Sequence, residues 1–373
     1  MALGEFDLIE QILSRPQDAQ RGRVVLGLGD DCALLQVQAG EQWAVSTDTL
    51  VEGRHFLSTV DPARLGHKAL AVNLSDLAAC GAQPQACMLN LTLPRADEGW
   101  LRGFARGFHA LADEHALVLA GGDTTAGPLS ITVTVMGTVP TGGALLRSGA
   151  SVGDELWVSH PQGMDGGIGD ARLALEVFRG RASLPQEGFE AVRRRMEQPQ
   201  PRVKLGQALR GLANAAIDLS DGLIGDLQHV LKASGAGARL WWSALPCSPW
   251  LGAQALALQR ECLLGGGDDY ELLLSAPAHC RTELVERARA CGVGLSRIGR
   301  VVAGGGILVF DNEAADASAS DGSADSADSA VRPGSRGAWP LHQLPRGFDH
   351  FRDGADEPAP AVGTYGAAGG STA

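Results

Sequence analysis

Lysine is the scarcest charged residue of this 373-residue chain, which contains only Lys68, Lys204 and Lys232, none of them after a glycine. A phosphate-binding P-loop needs a lysine directly after its last glycine, so that loop and the usual protein-kinase signatures are excluded. The HExxH pattern is also missing, and the nine histidines are scattered without metal-ligand spacing. If this chain transfers phosphate, metal ions must neutralise most of the charge that lysine neutralises elsewhere.

Long apolar runs and basic charge are scarce as well. No apolar run reaches about 18 residues, and the first residues carry acids where a signal peptide carries bases. With 31 basic and 43 acidic residues the net charge is −12, which argues against nucleic acid or a membrane as a partner. The seven cysteines are odd in number and form no CxxC pattern, which is typical of reduced thiols. These features predict a cytoplasmic protein.

Short apolar runs alternate with helical patterns, which predicts an α+β fold of the α/β type. Strands are predicted at Val24–Leu28, Trp43–Ser46, Cys87–Leu93, Ile131–Val139, Glu155–Ser159, Ala215–Ile217, Glu271–Ser275 and Ile307–Phe310. Helices are predicted from Asp61-Pro62 to just before Gly81, and at Asp97–Glu114, Gly167–Phe178, Arg202–Ala213 and Leu223–Ala233.

Composition shifts divide the chain. The glycine-rich stretch 141–153 is predicted to separate an N-terminal domain, residues 1–148, from a C-terminal domain, residues 149–352. Residues 311–337 consist mainly of Asp, Ala, Ser and Gly and contain no aromatic residue, so they are predicted to form a disordered acidic insertion. A tolerated surface loop is favoured over a docking segment there. Residues 353–373 are predicted to be a flexible tail.

Aspartates recur where short apolar segments end beside Gly, Ser or Thr. Five such segments read GLGDD, STDT, GGDTT, DLSDG and GGDDYEL, and one more aspartate lies inside a helical pattern, NLSDL. These acids are Asp30, Asp31, Asp48, Asp123, Asp218, Asp221, Asp268, Asp269 and Asp76. A single aspartate at a strand end is most often a turn or cap residue. This many acids on one rim would repel one another unless cations neutralised them, which favours a site for several Mg²⁺ ions and a polyphosphate.

Other candidate residues have ordinary structural interpretations. Ser220 has no adjacent base in the sequence, so a hydrogen bond to phosphate or a helix cap is favoured over covalent catalysis. The residues around His55, taken alone, are most simply interpreted as a solvated loop. Packing in the core or between the domains is favoured over binding of a ligand ring for Trp241, Trp242 and Trp250.

The order of motifs closely resembles that of the thiamine-monophosphate kinase family. The blocks are GEFDLIEQIL, GLGDDCALL, STDTLVEGRHF, KALAVNLSDLAACGAQP, GGDTTAGPLSITVTVMG, RSGASVGD, AIDLSDGL, GGGDDYEL and GFDHF, and they run from Gly4 to Phe351. The wider superfamily, which includes enzymes similar to aminoimidazole ribonucleotide synthetase and selenophosphate synthetase, shares the acid-rich scaffold. STDTLVEGRHF and GFDHF favour the thiamine enzymes within it.

This resemblance implies an N-terminal domain whose mixed sheet pairs across a homodimer, and a C-terminal α/β domain. It also implies ATP-dependent phosphorylation of thiamine monophosphate to thiamine diphosphate, with ATP as co-substrate and several Mg²⁺ ions as cofactors.

The resemblance also implies roles for single residues. The positions that match the family's Mg²⁺ ligands are Asp31, Ser46, Thr47, Asp48, Asp76, Asp123, Asp218 and Asp221. The positions that match its ATP contacts are Gly122, Asp123, Arg147 and Ser220. His55 and Asp268 match substrate contacts, although Asp268 stands where many relatives carry Glu. Pro345 stands where the family often has an aromatic residue, so stacking on the thiamine ring is assigned to Phe348.

The reaction itself suits such a site. Thiamine monophosphate already carries an ionised phosphate oxygen, so direct in-line transfer from ATP needs no general base and no protein nucleophile. Two other functions stay open from the sequence. One is a sister enzyme of the superfamily that uses ATP to activate a different acceptor, and the other is a non-catalytic module that binds Mg²⁺ or nucleotide.

Overall fold

The computed structural model describes residues 9–15, 21–28, 32–36, 38–163, 166–320, 338–340 and 344–345. Its strands are β1 (Val24–Leu26), β2 (Leu34–Leu35), β3 (Glu41–Val51), β4 (Gln83–Leu93), β5 (Val118–Ala126), β6 (Ser130–Pro140), β7 (Glu155–Pro161), β8 (Ala215–Asp218), β9 (Gly237–Trp241), β10 (Leu272–Ala276), β11 (Val293–Val302), β12 (Ile307–Phe310) and β13 (Ala338–Pro340). Its α-helices are α1 (Pro62–Ala79), α2 (Glu98–Glu114), α3 (Asp170–Phe178), α4 (Gln186–Glu197), α5 (Val203–Leu209), α6 (Leu223–Ser234), α7 (Pro249–Gly252), α8 (Leu256–Gly265), α9 (Arg281–Ala290) and α10 (Glu313–Ser320).

A four-stranded sheet forms the N-terminal half, in the order β3-β6-β4-β5. Strands β4 and β5 run parallel because α2 connects them, and the other pairs are antiparallel. Helices α1 and α2 lie together in the N-terminal core, with Phe104 and Phe108 almost completely buried there. The two helices approach so closely that a Cβ added at Gly107 would stand 1.8 Å from the carbonyl oxygen of Ala63.

A seven-stranded mixed sheet forms the C-terminal half, in the order β13-β12-β9-β11-β7-β10-β8. The pair β9–β12 is parallel and the others are antiparallel. The two mixed sheets with their helices confirm the predicted α+β class.

Helix α1 connects the two halves, and this position determines the geometry of the site. It contacts β3 and β6 of the first sheet as well as α5 and β8 of the second half. The contact with α5 is close, since a Cβ at Gly206 would stand 1.9 Å from the carbonyl oxygen of Ala78. As predicted, Asp61 begins the helix: its carboxylate accepts hydrogen bonds from the amides of Ala63 and Arg64.

Each of the eight predicted strands and five predicted helices has a counterpart, with shifted ends. The elements that were not predicted are strands β2, β5, β9, β11 and β13 and helices α4, α7, α8, α9 and α10. The β5 sequence VLAGGDTTA resembles a turn because of its Gly-Gly-Asp, yet it pairs with β4 along its length. The predicted helix at 202–213 is shorter, since α5 ends at Leu209.

The prediction of disorder for residues 311–337 is wrong for the first part of that segment, because α10 covers Glu313–Ser320. The carboxylate of Asp316 is 1% exposed, and Arg239 and Trp241 donate hydrogen bonds to it. Residues 321–337 and the predicted tail lie outside the described residues. No helix in the described part of the chain is long and apolar enough to span a membrane.

Candidate active site

Four of the predicted carboxylates come together where α1 lies between the two sheets. Asp48 lies on β3, Asp76 on α1, Asp218 at the end of β8, and Asp221 in the turn that follows β8. The two carboxyl groups of Asp48 and Asp76 are hydrogen-bonded to each other, and Asp48 also interacts with the charge of Asp221. Asp218 interacts with the charges of Asp76 and Asp48.

The crowding of these acids changes their protonation. Loss of solvent around the carboxyl group, followed by repulsion from Asp76, raises the pKa of Asp48 to about 6. Burial and repulsion from Asp76 raise the pKa of Asp218 to about 7. Burial also raises the pKa of Asp76, against the opposing effects of a hydrogen bond from Ser46 and the charge of Arg147.

Neighbouring polar groups orient the carboxylates. The Ser46 hydroxyl donates a 2.5 Å hydrogen bond to Oδ2 of Asp76. The Ser75 hydroxyl donates a 2.7 Å hydrogen bond to Oδ2 of Asp218, and Oδ1 of Asn73 accepts one of 3.0 Å from the Asp48 amide. Asn73 and Ser75 were not assigned from the sequence, although both belong to the NLSDL motif. Their position beside Asp76 on a predicted helix was the feature of the sequence that could have indicated their role.

A further buried acid supports the turn after β8. Asp226, 2% exposed, accepts 3.1 Å hydrogen bonds from the amides of Asp221 and Gly222. Burial first, and then repulsion from Asp221 and Asp218, raises its pKa well above the ordinary value. Sequence reasoning missed this residue too, because an aspartate in the first turn of a helix is an ordinary capping pattern.

One predicted metal ligand among the described residues, Asp123, lies away from this cluster. Asp123 is exposed on β5, at the opposite edge of the sheet from Asp48. Three strand spacings, roughly 14 Å, separate these two edges. Asp31 lies outside the described residues. Thr47 is on β3 next to Asp48, and its hydroxyl lies 3.0 Å from that of Thr134.

The donor set fits hard cations in its chemistry. Among the described residues, no three acidic, histidine or cysteine side chains already converge in a metal-binding arrangement. The clustered groups are nevertheless oxygen donors only, and burial followed by repulsion from Asp76 raises the pKa values of Asp48 and Asp218, so a bound cation would favour their charged forms. Mg²⁺ prefers such carboxylate oxygens together with phosphate oxygens.

A cavity of about 500 Å³ opens beside the cluster. Its lining includes apolar residues such as Ala44, Leu77 and Leu145 as well as the charged residues Asp76, Asp218 and Arg147. This volume lies within the range of small-molecule sites, roughly 300–1,000 Å³. The cavity is therefore large enough for a small molecule, and its lining offers both apolar surface and charged groups, including the exposed Arg147.

The predicted ATP contacts lie in different places. Arg147 lines the cavity, whereas Gly122 lies beside Asp123 on the exposed part of β5. Gly122 has a φ of +148°, and a Cβ there would stand 1.9 Å from the carbonyl oxygen of Leu89, so only glycine fits. Ser220 follows β8, and its carbonyl oxygen accepts a 2.9 Å hydrogen bond from the Asp268 amide.

The predicted substrate contacts His55 and Asp268 come near each other. The Val51 amide donates a 2.9 Å hydrogen bond to Nδ1 of His55, which leaves the proton of the neutral ring on Nε2. Lys68 forms an ion pair with Asp268 at 2.7 Å, and its Nζ lies 3.4 Å from the carbonyl oxygen of His55. Pro345 is half-buried, and Phe348 lies outside the described residues.

Comparisons with known proteins identify the family of this chain. Residues 29–139 match the N-terminal domain of the AIR synthase related protein family, and residues 151–312 match its C-terminal domain. Thiamine-monophosphate kinase of Escherichia coli K12 is 46% identical over 305 residues, which cover 81% of this chain and 92% of the relative.

Solved structures show the same likeness. The crystal structure of thiamine-monophosphate kinase from Stenotrophomonas maltophilia K279a superimposes with a TM-score of 0.75 at 44% identity, over 84% of this chain and 98% of that one. The structure of AaThiL complexed with AMPPCP and TMP superimposes with a TM-score of 0.64 at 28% identity, over 83% and 95% of the two chains. The chain therefore belongs to the thiamine-monophosphate kinase family of AIR synthase related enzymes.

Proposed function

We propose that this chain transfers the γ-phosphoryl group of ATP directly to thiamine monophosphate, forming thiamine diphosphate in the cytoplasm. The observation that carries the proposal is the cavity of about 500 Å³ whose lining includes Asp76, Asp218 and Arg147. The kinase relative AaThiL was solved with AMPPCP, an ATP analogue, and with TMP. A nucleotide and a second phosphate compound thus have a precedent on the same fold.

The chain's own residues supply positioning and charge. The cavity would hold the nucleotide base, and Arg147 in its lining would donate hydrogen bonds to phosphate oxygens. Asp48, Asp76, Asp218 and Asp221, with Ser46 and Thr47, would hold Mg²⁺ ions. Asp31 and Asp123 are proposed as further ligands; because Asp123 lies at the opposite edge of the sheet from Asp48, it would act on the ions of a site shared with a second copy. When bound, these ions would neutralise the repulsion between the two phosphate compounds. Asp123 and Gly122 would act from the edge strand β5.

The acceptor side of the site is formed by His55 and Asp268, with Phe348 proposed to stack on the thiamine ring. An attacking phosphate oxygen of thiamine monophosphate is already ionised, so no residue has to remove a proton from it. Ser220 contributes through its backbone, since its carbonyl oxygen fixes the Asp268 amide. The transfer is therefore proposed to be in line and without a phosphorylated enzyme.

A homodimer is proposed because one face of the N-terminal sheet is only partly covered by the described residues: β1 and β2 pack on its β4–β5 side, whereas its β3–β6 side is exposed. Val45 is 61% exposed and Val51 is 38% exposed on β3, on the same face as Thr47 and Thr49. The helices α1 and α2 lie on the other face, which leaves this β-branched surface available to a second copy.

The division into domains 1–148 and 149–352 is likewise retained as a proposal.

A coupled assay tests the proposed reaction. Purified protein is incubated with ATP, MgCl₂ and thiamine monophosphate, and thiamine diphosphate and ADP are quantified by chromatography. We expect the two products in a 1:1 ratio, no product without Mg²⁺, and loss of turnover in Asp218→Asn. ADP formation only with another acceptor would replace the proposal by a sister activity. Binding of ATP without turnover of any acceptor would identify a non-catalytic module.

A further inference from the structure

We infer that Lys68 is a positioning residue for the acceptor site, acting through Asp268; this inference rests on the function proposed above. Lys68 lies on α1, and its side chain is only 3% exposed. A lysine is seldom buried to this degree unless its charge is paired. Its partner is Oδ2 of Asp268, 2.7 Å from Nζ, in the other half of the chain.

Asp268 is held in an unusual backbone conformation. Its φ is +72°, a left-handed value that residues with a side chain adopt rarely, and Tyr270 follows with a φ of +51°. The Asp268 amide donates to the carbonyl oxygen of Ser220 at 2.9 Å, and the Tyr270 amide donates to that of Leu219 at 2.8 Å. These bonds tie the loop before β10 to the end of β8, where Asp218 lies.

Both oxygens of the Asp268 carboxylate are anchored. Lys68 donates to Oδ2, and the hydroxyl of the buried Tyr270 donates to Oδ1 at 3.1 Å. The side chain still keeps 37% of its surface exposed, so it can contact a ligand while its direction is fixed. A carboxylate that is restrained at both oxygens presents one orientation to the acceptor. An unrestrained carboxylate would lose side-chain entropy when the acceptor binds, which would weaken binding.

Lys68 also contacts the other acceptor segment. Its Nζ lies 3.4 Å from the carbonyl oxygen of His55. One ammonium group on α1 therefore connects the His55 segment, the Asp268 loop and the helix that carries Asp76. Removing that group should loosen the acceptor contacts and leave the cavity beside Arg147 unchanged.

Steady-state kinetics of Lys68→Met, with Lys204→Met as the matched control, test this inference. Methionine keeps much of the volume and removes the charge, and Lys204 is exposed on α5. We expect the KM for thiamine monophosphate to rise about tenfold or more in Lys68→Met, as loss of a charged hydrogen bond predicts. The KM for ATP should change less than twofold, and Lys204→Met should behave as wild type.

A double-mutant cycle separates positioning from a general structural role. If Lys68 acts through Asp268, Lys68→Met in an Asp268→Asn background should add little to the effect of Asp268→Asn alone. Full additivity, or a lower melting temperature with both KM values unchanged, would overturn the inference. Should Lys68→Met fail to fold, Tyr270→Phe removes the other anchor and must raise the same KM.

The two proposals fail in different ways. Absence of thiamine diphosphate formation by the wild-type protein would refute the proposed function and this inference with it. Normal wild-type turnover with an unchanged acceptor KM in Lys68→Met would refute only the role of Lys68.

Discussion

The hydroxyl of Ser75 donates a 2.7 Å hydrogen bond to the carboxylate of Asp218, and both side chains are buried. This bond connects α1 to the end of β8 and so joins the two halves of the chain inside the acid cluster. Ser75 lies next to Asp76 on α1. Ser75 contacts the carboxylate of Asp218, whereas Asp76 contacts that of Asp48, so two neighbouring residues of one helix contact acids from both halves of the chain.

Ser75→Ala is expected to lower the free energy of unfolding by about 1–3 kcal/mol, because it leaves a buried carboxyl group without its donor. Turnover should fall as well, since Asp218 loses its fixed orientation. Urea unfolding and the kinase assay measure the two effects. Ser275→Ala is the control: Ser275 is equally buried, and its hydroxyl has no hydrogen-bond partner among the described residues. Equal destabilisation by both changes would contradict the argument.

The sequence predicted the acids of the cluster but not the groups that orient them. Asp48, Asp218 and Asp221 were recognisable because aspartates beside Gly, Ser or Thr ended apolar segments, and Asp76 because it is an acid inside a mostly apolar helical pattern. Ser75 is a small polar residue in a mostly apolar helix, and such residues carry no pattern of their own. Its role depends on which strand faces the helix, which is a property of the tertiary fold.

Long-range pairing also explains the error in the acidic insertion. Residues 313–320 contain few apolar side chains, so their composition predicted disorder. The helix is instead anchored by Asp316, whose partners Arg239 and Arg300 are distant in sequence. Composition indicates only how much apolar surface a segment can bury, and it does not reveal an ion pair with residues elsewhere in the sequence.

The Asp76→Asn variant tests the metal cluster. The change removes one of the charges that raise the pKa of Asp48 and Asp218, so the metal-free protein should be at least as stable as wild type. Phosphoryl transfer should nearly vanish, and the rise in melting temperature on adding MgCl₂ should shrink. Thermal melts with and without Mg²⁺ measure this.

The control for that experiment is Asp61→Asn, which keeps a good cap for α1 and should keep the full response to Mg²⁺. If Asp76→Asn instead destabilised the metal-free protein and retained most activity per folded molecule, Asp76 would be a structural residue.

Removing the whole segment 311–337 is expected to destabilise the protein, whereas removing residues 321–337 alone should have little effect on melting temperature or turnover. The reason is Asp316, a 1% exposed carboxylate that accepts hydrogen bonds from Arg239 and Trp241. Asp316→Ala should reproduce much of the loss, about 1–3 kcal/mol, because it removes the hydrogen bonds that the buried carboxylate accepts from the partly exposed Arg239 and from Trp241. Melting curves that are the same for both deletions would show that α10 does not contribute.

A buried ion-pair network predicts how stability depends on pH. Burial alone would raise the pKa of Glu271, but the charges and hydrogen bonds of Arg202 and Arg195 outweigh it and lower the pKa from 4.5 to about 2. Since the folded-state value is the lower one, the stabilisation is fully present above about pH 4.5. It should be lost progressively as the pH falls towards 2.

Glu271→Gln should therefore lose about 3–5 kcal/mol at pH 7, and its difference from wild type should narrow below pH 4.5. Urea unfolding between pH 7 and pH 3 measures this. The exposed Glu187→Gln on α4 serves as control and should stay within about 0.5 kcal/mol of wild type throughout. A constant difference across the whole pH range would contradict the assignment.

The proposed dimer makes the last prediction. Thr132 on β6 lies on the open face of the N-terminal sheet, with its hydroxyl 2.8 Å from that of Thr49. If a second copy covers this face, Thr132→Lys would place buried like charges in opposition and should convert dimers to monomers in sedimentation velocity. The exposed Ser183→Lys, between α3 and α4, adds the same charge and should leave the dimer intact. Asp48 and Asp123 occupy opposite edges of the same sheet, so the monomeric variant should also show whether one chain can form the complete metal site. Retained turnover in the monomer would exclude any need for a partner. Lost turnover with an unchanged melting temperature would indicate a site shared between two chains.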